Sequence, residues 1–173
     1  VKMNEVQKAV PRAWSGTWKR KTGYDQDVAC SAAWHAVEIE RRREFIVNRR
    51  GKVLAVCTSE AKGTQKKPVD EITVKPDWGI VGDAHAGHWH RQVSLLSFEK
   101  IEEFRARGAK VDFGAFGENI VCEGFDLKAL PVGTRFQIGD ALLELSQIGK
   151  ACHSHCEIYK RVGDCIMPRE GVF

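Results

Sequence analysis

The sequence predicts a mainly β protein, folded as a β-barrel or a strongly bent sheet. After residue 50 the chain consists largely of short runs in which apolar and polar residues alternate, and turn residues separate these runs at regular intervals. One segment, residues 98–107, has the spacing of an amphipathic helix. Strands that follow one another without intervening helices are typical of barrels and bent sheets and argue against a βαβ fold.

The predicted strands begin after a change of composition at Gly51. A polar, lysine-rich loop is predicted over 59–68, and a loop with three glycines over 78–87. The strands are predicted at 52–58, 69–74, 91–96, 135–138 and 141–148.

The helix predicted at 98–107 has both of its ends marked in the sequence. Ser97 is a candidate N-cap, and Gly108 is a candidate terminator. Ile101 and Phe104 lie on one apolar face, which has to be buried against the strands.

Charge is distributed unevenly along the chain. The 173 residues carry a formal net charge of +4; residues 1–50 hold 11 Lys and Arg against 6 Asp and Glu, and residues 51–173 hold 16 against 17. The main domain, 51–173, is therefore not basic, and no nucleic-acid partner is expected. Residues 1–50 are predicted to be an extension of unknown role, with a helix over 28–47.

The cellular compartment follows from what the sequence lacks. No apolar run is long enough to span a membrane, and residues 1–10 do not resemble an export signal. A cytoplasmic location without a membrane partner is therefore expected, and there the six cysteines would be core residues, nucleophiles or metal ligands. Cys57 and Cys122 lie in apolar runs and are predicted to be core residues.

The stretch 149–158 concentrates reactive side chains after an apolar, strand-like run. A thiolate is both a nucleophile and a soft metal ligand, and neighbouring positive charge lowers the pKa of a thiol. Persulfide formation, attack on an electrophile and coordination of molybdenum are the chemistries open to such a thiol. Cys152 is predicted to be this thiol, and its candidate neighbours are Lys150, His153 and His155.

Two other roles stay open for these cysteines. Cys152, Cys156, Cys165 and a histidine would make up a structural zinc site, although C-x3-C and C-x8-C are not the usual zinc-knuckle spacings. Cys152 and Cys156 would also suit a redox pair, but their spacing is not C-x-x-C. Zinc is therefore not the first choice, and Cys156 and Cys165 are predicted to be secondary thiols or core residues.

Two glycine-rich loops supply candidate binding residues. In the first, His85, His88 and His90 have the chemistry to bind a metal or, together with Arg91, a phosphate or carboxylate; a structural turn explains the same pattern. In the second, Asn119 has the chemistry to bond a ligand or the backbone, and a tight turn before a strand explains it equally well.

Ordered motifs run along 51–173, and 1–50 contains none of them. They are Gly82-Asp83-Ala84-His85-Ala86-Gly87, His90-Arg91-Gln92-Val93-Ser94-Leu95-Leu96, Phe116-Gly117-Glu118-Asn119-Ile120, Leu130-Pro131-Val132-Gly133-Thr134, Ile138-Gly139-Asp140, Gly149-Lys150-Ala151-Cys152-His153 and Gly163 to Phe173. Together they resemble the MOSC domain family, named after the C-terminal domain of molybdenum cofactor sulfurase, and within it the small stand-alone bacterial type.

The resemblance implies a closed or nearly closed β-barrel of the pyruvate-kinase-barrel type, with one or two short helices. It implies that Cys152 carries persulfide sulfur or ligates molybdenum, and that Lys150 and His153 tune this thiol or bind an anionic cofactor. The cofactor would be the molybdenum cofactor, molybdopterin; pyridoxal phosphate binding is a further association at the level of the family. Donors to a pterin phosphate or to a sulfur donor would come from the pocket residues His85, His90, Arg91 and Asn119.

The resemblance also implies partners and activities. A cysteine desulfurase or another sulfur donor would supply sulfur, and the molybdenum cofactor or a metal–sulfur cluster would accept it. The activity would be sulfur transfer, or molybdenum-dependent reduction of N-hydroxylated substrates with an external electron donor. Related domains continue beyond the Gly-Val-Phe motif, so the domain at 51–173 is expected to lack its final strand and to leave an open barrel edge.

Overall fold

Short strands dominate the structure, which confirms the predicted mainly β class. A computed structural model describes residues 5–9, 50–152, 159–160 and 163–173, the first five as backbone only. The helices are α1 (Phe98–Arg105), α2 (Met167–Glu170) and a 3-10 turn at Leu127–Ala129. The strands are β1 (Glu5–Ala9), β2 (Arg50–Thr58), β3 (Lys67–Val69), β4 (Val74–Lys75), β5 (Gly79–Ile80), β6 (Leu95–Ser97), β7 (Ile120–Glu123), β8 (Arg135–Ile138) and β9 (Ala141–Glu144).

Seven strands form one sheet in the order β6-β7-β2-β1-β8-β9, with β3 paired to β2 off this path. The neighbours are antiparallel except β6 and β7, which run parallel. Strands β4 and β5 form a separate two-stranded sheet. Sequence analysis does not predict β1, which lies between β2 and β8 in the main sheet.

The two ends of the sheet are linked through one short segment, but the described residues form no closed barrel. Leu95 of β6 exchanges both backbone hydrogen bonds with Val172, at 2.8 and 3.0 Å. Val172 also bridges Ile148, which follows β9, and the Phe173 N–H donates to the Gln147 carbonyl at 2.8 Å. Single bridges therefore connect β6 to the chain beyond β9. That a final strand is missing stays a prediction.

The strand predicted at 69–74 is wrong, because β3 ends at Val69 and β4 begins only at Val74. Two further predicted strands are shorter than expected, and their backbone partners explain why. The predicted strand 91–96 is ordered as a strand only from Leu95, because the Ser94 N–H donates to the Asn119 side-chain oxygen at 3.1 Å and not to a neighbouring strand. The strand predicted to reach residue 148 ends at Glu144, since the Ser146 N–H donates to the Phe173 carbonyl at 2.7 Å.

Helix α1 confirms the predicted element but not its predicted cap. Ile101 and Phe104 are buried, as the apolar face requires, and Gly108 follows the helix in the left-handed conformation, with φ of +93°. The Ser97 hydroxyl does not cap the helix, because it donates to the Phe125 carbonyl at 2.7 Å. The hydroxyl thus fixes the helix start to the turn after β7.

A register shift in β2 divides its inward side chains between two apolar clusters. Pairing with β7 slips between Val53 and Ala55, so Val53 joins the cluster of Val56, whereas Ala55 joins that of Cys57. Cys57 and Cys122 are fully buried, which confirms that they are core residues. The cluster that holds Cys57 also holds residues 165–167 and forms the floor of the cavity described below.

Two sequence-based predictions concern helices. The helix predicted over 28–47 lies outside the described residues. Within the described ranges, no helix combines the length and the apolar character that crossing a bilayer requires.

Candidate functional site

A cavity of about 330 Å³ brings together four of the side chains predicted from the sequence. Lys150 and Cys152 come from the segment after β9, and His85 and Arg91 come from the loop between β5 and β6. The volume is at the lower end of the range for small-molecule sites. Residues separated by about 60 positions in the sequence therefore line the same cavity.

The cavity is cationic. The residues that line it include Arg91, Lys150 and His85, and no Asp or Glu is among the described lining residues. Charges of one sign in a concave, partly apolar site attract a ligand of the opposite sign and disfavour cations. The arrangement therefore suits an anion.

Arg91 is held between aromatic rings. Its guanidinium lies 4.9 Å from the centroid of the Trp89 ring and 5.8 Å from that of Phe173. Its Nε is buried without a hydrogen-bond partner in the described part of the protein, and so is Nε2 of Gln65, which lines the same cavity. A buried N–H without an acceptor costs free energy, so a ligand that brings acceptors is favoured here.

Cys152 is exposed at the cavity and follows a sharply defined turn. Gly149 has φ of +66°, and its N–H donates to the Gly171 carbonyl at 2.7 Å. A Cβ at position 149 would lie 2.5 Å from the Pro168 carbonyl oxygen, so only glycine fits. The Lys150 N–H also donates to Pro168, at 3.1 Å. These bonds fix the backbone that presents Lys150 and Cys152.

A buried ion pair, absent from the sequence-based prediction, supports the cavity from below. Lys66 Nζ lies 2.5 Å from Asp83 Oδ2, and both side chains are at most 1% exposed. Burial lowers the pKa of Lys66, and the contact with Asp83 acts in the opposite direction. Burial alone would raise the pKa of Asp83, but its contacts with His85 and Lys66 hold it well below its usual range.

His85 connects this ion pair to the cavity. Its backbone N–H donates to Asp83 Oδ1 at 2.9 Å, and its Nδ1 lies 3.3 Å from Lys66 Nζ. The ring stacks on Trp89 with centroids 6.3 Å apart, and the Trp89 indole N–H donates to the His85 carbonyl at 2.7 Å. The side chain is 30% exposed. The position of the imidazole is thus fixed by Lys66, Asp83 and Trp89, and part of the side chain remains exposed at the cavity.

Asn119 does not line the cavity. It is 1% exposed, and its Nδ2 donates to the Cys57 carbonyl at 3.0 Å and to Asp83 Oδ2 at 3.1 Å. Its Oδ1 accepts from the N–H and the hydroxyl of Ser94. The asparagine therefore joins β2, the Asp83 loop and the start of β6.

Of the other predicted residues, the structure describes His90 and Cys165. His90 lines a neighbouring cavity, with Nε2 2.9 Å from Gln147 Oε1. His153, His155 and Cys156 lie outside the described residues. Cys165 is buried and lines the same cationic cavity as Cys152. Among the residues that the structure describes, no three metal-binding side chains of His, Cys, Asp or Glu are grouped.

Glu118 is a second buried carboxyl group that sequence analysis gives no role. It is fully buried, and its two oxygens accept from the N–H groups of Gly114 at 2.7 Å and Phe116 at 3.0 Å. Burial raises the pKa of Glu118 from 4.5 to about 7, although these bonds act against the rise. The carboxyl group holds the loop that carries Ala115, Phe116 and Gly117 at the cavity wall.

We expect Glu118 to make the protein less stable as the pH rises towards neutrality. Because the pKa is higher in the folded state, the stabilising contribution is fully present below about pH 4.5 and is lost as the pH passes about 7. Between about pH 5 and pH 8, the unfolding free energy of the wild type should fall by about 2–3 kcal/mol relative to Glu118→Gln. Urea denaturation at both pH values measures this difference.

Glu123→Gln is the matched control for this comparison, because Glu123 is an exposed glutamate at the end of β7. It should follow the pH dependence of the wild type. A Glu118→Gln protein with that same pH dependence would contradict the assigned pKa.

The fold and the cavity define a mainly β protein with a cationic, thiol-bearing site. The MOSC domain model matches residues 82–168, about half of the chain, and the matched segment contains His85, Arg91, Lys150 and Cys152. The chain belongs to the MOSC domain family. At the level of the family, MOSC domains are associated with the molybdenum cofactor and with sulfur chemistry.

Two further comparisons concern solved structures and curated proteins. The crystal structure of the YuaD protein from Bacillus subtilis is similar to this chain, with 23% sequence identity and a TM-score of 0.44. The similarity covers 49% of this chain and 58% of the YuaD chain. No curated protein matches the sequence.

Proposed function

We propose that the cavity binds the molybdenum cofactor, with Cys152 as the thiolate ligand of molybdenum. The proposal is carried by one observation: an accessible thiol and the side chains of Arg91, Lys150 and His85 line a cavity whose described lining contains no carboxylate. Soft metals favour thiolate ligands, and the anionic part of the cofactor favours cationic donors.

The residues present fit such a cofactor. Arg91 Nε and Gln65 Nε2 are buried N–H donors without an acceptor in the described chain, which a pterin phosphate would supply. The rings of Trp89 and Phe173 offer apolar surface beside these donors. Arg91 and Lys150 would hold the anionic group, and Cys152 would hold the metal.

Molybdenum, when bound, supplies two-electron redox and oxygen-transfer chemistry, which suits the reduction of N-hydroxylated substrates by an external electron donor. The chain's own residues would orient the cofactor, with Cys152 at the metal. Burial raises the pKa of Cys57 to about 12, so that this cysteine stays a thiol.

A persulfide carrier is the second candidate, favoured by the exposure of Cys152. A protein donor such as a cysteine desulfurase has to reach the accepting thiolate directly. The thiolate would attack the outer sulfur of the donor's persulfide, take that sulfur as a Cys152 persulfide and release the donor's thiolate. The acceptor would be the molybdenum cofactor or a metal–sulfur cluster, and a cytoplasmic setting supplies both.

We expect Cys152→Ser to abolish loading, because the serine hydroxyl neither carries sulfur nor replaces a thiolate ligand. Metal analysis of protein isolated from cells that make the cofactor should show molybdenum in the wild type and at least a tenfold lower content in Cys152→Ser. Intact-mass spectrometry after incubation with a cysteine desulfurase and cysteine should show whether one sulfur is added.

Cys57→Ser is the matched control, since its thiol is fully buried in the core. It should load like the wild type provided that circular dichroism shows it to be folded. Equal loading of the two variants would refute the role of Cys152. Zinc at one atom per chain, with neither molybdenum nor added sulfur, would favour the structural zinc alternative that uses Cys152, Cys156 and Cys165.

A further inference from the structure

The buried ammonium group of Lys66 has a partner for each of its three hydrogens. Nζ lies 2.5 Å from Asp83 Oδ2, 3.4 Å from the Ser59 hydroxyl and 3.3 Å from His85 Nδ1. An ammonium group donates three hydrogen bonds and accepts none. Toward Lys66, therefore, Nδ1 of His85 is the acceptor.

The competing arrangement has His85 Nδ1 donating a hydrogen to Asp83, and the geometry disfavours it. Nδ1 lies 3.5 Å from Asp83 Oδ1, which is long for a hydrogen bond between these atoms. That oxygen already accepts the backbone N–H of His85 at 2.9 Å. Neutral imidazole has a single N–H, so the hydrogen belongs on Nε2.

We propose that Lys66 and Asp83 fix His85 as the neutral tautomer that carries its hydrogen on Nε2 and presents this N–H to an anionic ligand in the cavity. Lys66 and Asp83 are then positioning residues, which act through His85. The inference deepens the proposed function and rests on it in one respect, namely that the ligand is an anion.

With His85 in this tautomer, the positive charge and the directed hydrogen bond come from different residues of the cavity. Arg91 and Lys150 supply the positive charge, whereas His85 supplies a directed donor on a ring whose position is fixed by Trp89 and by its backbone bond to Asp83. A fixed donor aimed at the ligand strengthens binding without reorganisation. The side chain is 30% exposed and lines the cavity, so part of the ring is open to a ligand there, and the proposal places Nε2 in that part.

Nitrogen NMR of the wild-type protein tests the tautomer directly. Long-range proton–nitrogen correlation spectra distinguish protonated from unprotonated imidazole nitrogens, and His85→Gln identifies the signal of His85 by its loss. We expect Nε2 to be protonated and Nδ1 unprotonated at neutral pH. A hydrogen on Nδ1, or a doubly protonated ring, would overturn the assignment. No cofactor is needed, so this result is independent of the role of Cys152.

A pair of substitutions at residue 85 tests the direction of the donor, with inorganic phosphate as the probe. The side-chain amide nitrogen of glutamine reaches the place of Nε2, whereas asparagine reaches only that of Nδ1. We expect His85→Gln to retain most of the phosphate affinity and His85→Asn to bind about tenfold more weakly or worse, as for the loss of one hydrogen bond to a charged group.

Isothermal titration calorimetry at fixed ionic strength measures these affinities. Equal affinities in the two variants would overturn the donor role, and so would a His85→Asn protein that binds more tightly than His85→Gln. Failure of the wild type to bind phosphate would overturn the anionic-ligand part of the inference, while the NMR result would still decide the tautomer.

Discussion

Replacing Lys66 with methionine is expected to lower the free energy of unfolding by about 3–5 kcal/mol. The substitution keeps much of the side-chain volume but leaves the Asp83 carboxylate, which is fully buried, without its ionic partner. Three donors, the N–H groups of Ser59 and His85 and the amide of Asn119, still contact Asp83 and limit the loss. Urea denaturation at neutral pH measures the change.

Lys100→Met is the matched control for this substitution. Lys100 also pairs with a carboxylate, Glu103, at 2.9 Å, but both side chains are accessible to water. Such a pair contributes at most about 1 kcal/mol, so its loss should be small. Similar losses from the two substitutions would mean that the buried pair stabilises the folded protein no more than the exposed pair does.

Gly114→Ala is expected to be the second strongly destabilising change. Gly114 has φ of +83°, which costs about 1–2 kcal/mol for a residue with a Cβ. The added Cβ would also overlap the Lys66 carbonyl oxygen, which is backbone and cannot rotate away. Lys66 and Gly114 are joined there by a hydrogen bond from the Lys66 N–H to the Gly114 carbonyl at 2.9 Å. We expect a total loss of about 3–5 kcal/mol, measured by urea denaturation.

Gly117→Ala separates the two causes of this loss. Gly117 has nearly the same backbone conformation, with φ of +85°, but a Cβ added there would have no atom of the described residues within 4 Å, its chain neighbours aside. It should lose only the conformational part, about 1–2 kcal/mol. If both substitutions cost the same, the close approach of the two backbones is not what requires glycine at 114.

The sequence can nominate the basic and thiol-bearing residues of the cavity, because residue type alone carries that information. Cys152 and Lys150 are neighbours in one short stretch, and His85 and Arg91 lie together in another. The structure adds that the two stretches meet in one cavity. It also shows that Asn119, from the third motif, supports the cavity from within the protein and does not line it.

The sequence does not predict the burial of Lys66, because the residues around it in the sequence carry no signal for it. It lies in the lysine-rich loop 59–68, where nothing local distinguishes it from Lys62 or Lys67; only its burial against Asp83, 17 residues away, does so. Asp83 offers a faint local signal. An aspartate side chain often accepts the backbone N–H of the residue two positions later, as Asp83 does from His85.

The limits of the fold prediction have a similar origin. Strand β1 has only five residues, and its partners, β2 and β8, lie more than 40 and 120 residues away. Hydrophobic periodicity over so short a run is weak, because non-local pairing decides whether such a strand forms. The helix predicted over 98–107 and the strand predicted at 135–138 are set by local pattern; both form, although the helix ends two residues early, at Arg105.

The stacking of Arg91 between Trp89 and Phe173 has a thermodynamic consequence. A free arginine side chain has about 2 kcal/mol of rotamer entropy, which a ligand normally has to remove when it immobilises the group. Here the two rings restrict the rotamers in the folded protein itself, so that this entropy is lost during folding. An anion that binds the guanidinium therefore loses less free energy to the ordering of this side chain, and it binds more tightly for the same contacts.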